Sequence, residues 1–253
     1  MKENYSLFFA ECRRAIKLLK FYPLDTINNL VSFVIISTIF ITGINAMGDS
    51  SQIFGVVFFP IMLNLISGPS SSIRSDIEMG VFEQVYISRY SLLKIAIIRS
   101  VVTGMFSITG SVLITLIIHL FFVKIQFSIF HMIILLLLFG IQSLVIGIIL
   151  AGITLRFRKT ETLINSLNLL VMVLMVLPLL TISEKSMYLP SAICPLWGIV
   201  TYYQQLMERV DMVSVLKNLG FTVTHTIVFA VIANVIYQKL LLTAKMKGYL
   251  GQY

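Results

Sequence analysis

The chain is short of charge. Only 12% of its 253 residues are Asp, Glu, Lys or Arg, while 58% are hydrophobic. Soluble domains carry about 25% charged residues, so the composition excludes that class and indicates an integral membrane protein. Cysteine is scarce: Cys12 and Cys194 are the two present. The topology read below puts them on opposite sides of the membrane, and no zinc-type spacing occurs. A GxxxxGK[ST] phosphate loop is missing, so the sequence holds no nucleotide site of that kind. There is no HExxH helix and no GxSxG elbow. The three histidines, His119, His131 and His225, are far apart. Ionisable groups at mid-span are nearly absent, with His225 as the exception. Such groups mark ion and proton pathways, and their scarcity argues against a proton-coupled carrier.

What is present is a series of apolar runs. Residues 1–22 precede them as an amphipathic helix. Tyr5, Phe8, Phe9, Cys12, Ile16 and Leu19 recur on one helical face, with Arg13, Lys17 and Lys20 opposite. That pairing suits a helix lying in the membrane interface or one packed on its own protein. Glu11, Arg13, Arg14, Lys17 and Lys20 interrupt its apolar run, and no small-residue cleavage site follows, so it does not read as a cleaved leader. Six spans are predicted at residues 24–46, 53–69, 95–123, 127–155, 163–182 and 219–242. The second is short and is expected to stop at Gly68-Pro69 or to continue past the apolar run. Pro178 lies near the outer end of span five. Residues 187–206, broken by Pro190 and Pro195 and rich in interfacial aromatics, fit a re-entrant segment or a seventh span.

Lys and Arg cluster in alternate connections: Arg13 to Lys20, Arg74 to Arg99, Arg156 to Lys159, and the tail from Lys239 to Lys247. Positive charge favours the cytoplasmic side, which places both termini inside and agrees with six spans. The fold class is therefore all-α integral membrane, a single domain over residues 1–253 in the cell (plasma) membrane.

Residues 72–90 are the conspicuously polar stretch. Ser75-Asp76-Ile77-Glu78 fits a capping box, with Ser75 as N-cap and Glu78 reaching back. Ile77, Val81 and Val85 recur at four-residue spacing, widened by Phe82 and Tyr86, while Glu83 and Gln84 stay polar. A short amphipathic helix from Asp76 to Val85 is predicted, serving either as a solvated connection or as a docking surface.

Glu78-Met79-Gly80-Val81-Phe82-Glu83-Gln84-Val85-Tyr86-Ile87-Ser88 resembles the E-x-G-T-L-E-x-L-x-x-S/T-P signature of ATP-binding-cassette exporter permeases of the second type. Glu78, Gly80, Glu83 and Ser88 match; Val81 stands where Thr is usual and Arg89 where Pro is usual. The resemblance implies a coupling helix after span two, touching a separate ATPase subunit through Asp76, Glu78, Gly80, Phe82, Glu83 and Gln84, with Gly80 allowing close backbone approach. It also implies a second permease subunit, identical or not, with ATP and magnesium held by the partner and no cofactor or metal in this chain. The implied activity is transport of amphipathic or hydrophobic cargo (drug, lipid or peptide) without catalysis here. A polysaccharide exporter, or a carrier or scaffold with no ATPase, is the alternative. Asn64 of span two and the stripe Asn165, Asn168 and Met172 of span five fit a translocation path or plain helix–helix hydrogen bonding. Thr38, Thr42 and Asn45 of span one make a similar stripe.

Overall fold

A computed structural model describes residues 2–21, 23, 24, 27, 28, 31, 35, 53–121, 129–157, 162–170, 196–207 and 212–246. The described residues are almost entirely helical and contain no strand. In chain order the helices are α1 (Lys2–Phe21), α2 (Ile53–Glu78), α3 (Phe82–Ile87), α4 (Leu92–Phe121), α5 (Ile129–Arg156), α6 (Trp197–Met207) and α7 (Met212–Met246). Residues 162–170 are also helical.

Among the described residues, three helices are long and apolar enough to cross a membrane, over Leu92–Thr109, Ile133–Arg156 and Val213–Met246. They correspond to spans three, four and six. Span one and the outer half of span five, with Pro178, fall mostly outside the described residues, as do Pro190 and Pro195. The surfaces left open are apolar: Val223, Ile227, Val231 and Val235 form one exposed stripe of α7. Stripes of this kind need a nonaqueous surrounding or a partner.

α2 is the centre of the packing, lying along both α4 and α5, while α5 lies along α7 and α6 rests mainly on α7. Small residues make these approaches possible. A Cβ built on Gly147 of α5 would fall 2.6 Å from the Leu65 carbonyl oxygen and 2.8 Å from that of Ile66. The contact has a local cause. Pro69 has no N–H, so the Leu65 carbonyl four residues back has no intrahelical donor, and the bare Cα of Gly147 is what lies against it. The helix does not stop at Gly68-Pro69; it runs through both, and Pro60 also lies within it. Of the two expectations for span two, continuation is the observed one.

α1 packs against α4. Tyr5, Phe9, Ile16 and Leu19 are exposed on its apolar face, and Arg13, Lys17 and Lys20 are exposed as well.

Candidate functional site: the α2–α3–α4 junction

The polar stretch folds differently from its capping-box reading. Ser75 is not an N-cap; it lies inside α2, and its carbonyl accepts the Met79 N–H at 2.9 Å. Glu78 pairs with Arg74 one turn back at 3.2 Å instead of reaching for Ser75. The pattern S-x-x-E fits a helix start, but here it sits where an apolar helix is still running and keeps its bonds.

The real break is at Gly80. Its N–H donates to the Ile77 carbonyl at 3.1 Å, and the Val81 N–H donates to the Asp76 carbonyl at 3.0 Å. That pair is a Schellman C-cap, which requires a left-handed residue at the Gly80 position. Gly80 has φ +68, and nothing lies within 4 Å of where its Cβ would be. The glycine serves its backbone angle, and the open space beside it is not filled by any described part of this chain.

The short helix α3 then begins at Phe82, not at Asp76. Val81 is its N-cap and offers no side-chain bond. Phe82 is the anchor: it is 1% exposed and packs in a core with Ile73 of α2, Leu92 and Ala96 of α4, Ala151 and Leu155 of α5, and Tyr237 of α7. Phe82 thus places α3 in a core to which four longer helices contribute. Tyr86 stacks on Phe82 at 6.4 Å and carries the Lys245 ammonium over its ring at 5.4 Å. Glu83 and Gln84 face outward and are exposed. Ser88 closes α3 by donating its hydroxyl to the Val85 carbonyl at 2.7 Å. Ser91 caps α4, its hydroxyl oxygen accepting the Lys94 N–H at 3.3 Å. Arg89, where the signature has proline, lies in the bend between them over the Tyr90 ring.

Asp76 is internal. It is 3% exposed, and both carboxylate oxygens accept bonds from Arg99 Nη1 of α4, at 2.8 and 2.6 Å. The same nitrogen reaches Ser72 at 3.0 Å, and Arg99 Nε reaches Glu11 of α1 at 3.0 Å. Arg99 thereby links α1, α2 and α4. No pairwise pattern announces this hub, because Asp76 and Glu11 lie 23 and 88 residues from Arg99.

The residues read as a translocation path are only partly among the described residues. Asn64 donates to Ser107 of α4 at 2.7 Å. Asn165 is exposed, and Asn168 is half-buried, its amide oxygen unpartnered among the described residues. Met172, Thr38, Thr42 and Asn45 lie outside the described residues. So do His119 and His131 as far as their side chains are concerned, whereas His225 is stacked between Phe221 and Phe229 of α7. Among the described residues no group of His, Cys, Asp and Glu could hold a metal ion.

Long apolar helices packed through glycine, with a short amphipathic helix at their polar end, are the architecture of a polytopic membrane protein. The chain matches the ABC-2 type transporter family over residues 5–207 and belongs to it. It is thus a permease of an ABC transporter, a membrane component that works with an ABC ATPase. The match ends before α7. No curated protein and no solved structure matches the chain.

Proposed function

We propose that this chain is the permease of an ABC exporter and that α3 is the element on which its ATPase partner docks. Phe82 carries the reading: a short helix transmits a push only if it is fixed to its neighbours, and Phe82 anchors α3 in the core that α2, α4, α5 and α7 build together. Glu83 and Gln84 are then the outward contacts, and Glu78 caps the edge of the same surface. Asp76 and Gly80 serve docking indirectly, through the Arg99 hub and the Schellman break.

The polar end of the bundle, with both termini, faces the cytoplasm of a cell membrane, as the Lys and Arg distribution favours. α1 lies in the interface with its aromatic face toward lipid. Two permeases and two ATPases form the working unit, and ATP-driven closure of the ATPases moves the permeases as rigid bodies. The cargo is amphipathic or hydrophobic, since no fixed charge lies at mid-span.

Reconstituted with its ATPase, a Glu83→Arg variant is expected to bind nucleotide normally but to lose permease-stimulated ATP hydrolysis and transport together. Wild-type coupling in that variant would remove Glu83 from the docking surface. Failure of any ATPase to co-purify with the wild type would favour a scaffold.

A further inference from the structure

A groove of about 460 Å³ lies between α1, α2 and α4. Its floor is one face of α2, where Asn64, Ser67, Ser71, Ser75 and Glu78 recur at three- and four-residue spacing. Arg74 lines the same floor, Arg14 enters from α1, and Arg99 and Thr103 enter from α4. The wall also has apolar side chains, Ala15, Leu18 and Val102, so the groove is amphipathic in section.

Its chemistry is ordered along α2. The end nearest the middle of the helix offers an amide and hydroxyls. Ser71 donates its proton to the Gly68 carbonyl at 3.0 Å, and Thr103 donates to its own helix as well. Ser67 likewise donates to the Leu63 carbonyl. These hydroxyls therefore present acceptor oxygens to the groove. The guanidinium of Arg74 comes next along α2 and the carboxylate of Glu78 last, with Arg14 and Arg99 entering from the facing helices. All three arginines are paired: Arg74 faces Glu78 at 3.2 Å, Arg14 faces Glu11 at 3.5 Å, and Arg99 is held by Glu11 and Asp76. A site built only for anions would have cations without nearby carboxylates.

We infer that this groove binds the head group of a zwitterionic phospholipid, with the phosphate at Arg74 and Arg14, the ammonium at Glu78, and the acyl chains in the bilayer beside α1. Phosphate suits the guanidinium pair, and a primary or quaternary ammonium suits the carboxylate beyond it. The apolar wall and the exposed apolar face of α1 favour a lipid over a soluble phosphoester. As a cargo site the groove rests on the exporter reading; as a binding site it does not.

The test uses the purified full chain in a nonionic detergent, without ATP or partner. It is offered an equimolar mixture of phosphatidylethanolamine, phosphatidylglycerol and diacylglycerol, and bound lipid is counted by native mass spectrometry. The informative variant is the exchange Arg74→Glu with Glu78→Arg, which keeps the ion pair and reverses the order of charge. Wild type is expected to retain phosphatidylethanolamine about tenfold over the other two, and the exchange to abolish that preference at unchanged melting temperature. Equal retention of all three lipids, or a preference that survives the exchange, would overturn the assignment. Preference for phosphatidylglycerol would overturn it in favour of a plain anion site. Displacement by millimolar free phosphoethanolamine would overturn it in favour of a soluble ligand. None of these results touches the coupling measured with Glu83→Arg, so the two readings fail separately.

Discussion

At the scale of single residues, Gly80 separates two reasons for a glycine. Space around it is open, yet its φ is +68. A β-branched side chain would fit the volume and not the angle, since the left-handed region costs L-residues about 1–2 kcal/mol. Gly80→Val is therefore expected to lower stability by about that amount, and Gly80→Asn, which tolerates the region, by much less. Thermal unfolding of the two variants in detergent checks this. Gly147 is the opposite case, a helical glycine at which an added Cβ would fall 2.6 Å from the Leu65 carbonyl oxygen. From sequence the two look alike. Position in the signature identified Gly80 as important, but only the bond pattern shows that it ends a helix.

At the scale of elements, periodicity predicted correctly that an amphipathic helix follows span two, and erred on where it starts. The apolar face Ile77, Val81, Val85 is continuous in sequence, but the backbone turns between its first and second members, so Ile77 belongs to α2 and Val85 to α3. The capping box misled because hydroxyl and carboxylate three residues apart also occur inside helices, where Glu78 prefers Arg74. What the sequence could not reveal was the depth of Phe82, which depends on residues from four helices converging. Truncating a buried phenylalanine costs about 3–5 kcal/mol. Phe82→Ala is expected to loosen α3 while leaving α5 and α7 intact. Hydrogen exchange checks this: faster exchange over residues 82–87 with unchanged protection in α5 bears it out, and uniform loss across the bundle contradicts it.

At the scale of the whole molecule, a bilayer imposes length and hydropathy on a helix, and three helices long and apolar enough to cross one lie where spans three, four and six were expected, with shifted ends. The polar links between helices were not legible in the sequence, because they depend on three-dimensional proximity alone. The Arg99 hub is the main example, holding α1, α2 and α4 with Asp76 nearly excluded from solvent. Removing one member of a buried ion pair costs about 3–5 kcal/mol because the other charge is left unpaired. A lysine cannot reproduce the bonds that Arg99 sends to Asp76, Ser72 and Glu11 from two different nitrogens. Arg99→Lys is expected to release α1 from α4 before the bundle unfolds. Limited proteolysis near residues 2–21, compared with the melting temperature, measures this; a shift of both together would place Arg99 in global folding only.

Pro69 has a consequence for motion. Bending a helix normally stretches a backbone bond worth a net 0.5–1.5 kcal/mol or so. Between Leu65 and Pro69 there is no such bond to lose, and the Leu65 carbonyl already bears on the smooth surface of Gly147. The ten residues from Pro69 to Glu78, about 15 Å of helix, form a lever with its hinge and its bearing at the same place. Bending there leaves the backbone bonds of the helix intact, so the resistance to a change of angle comes from the bonds that Ser72 and Asp76 make to Arg99.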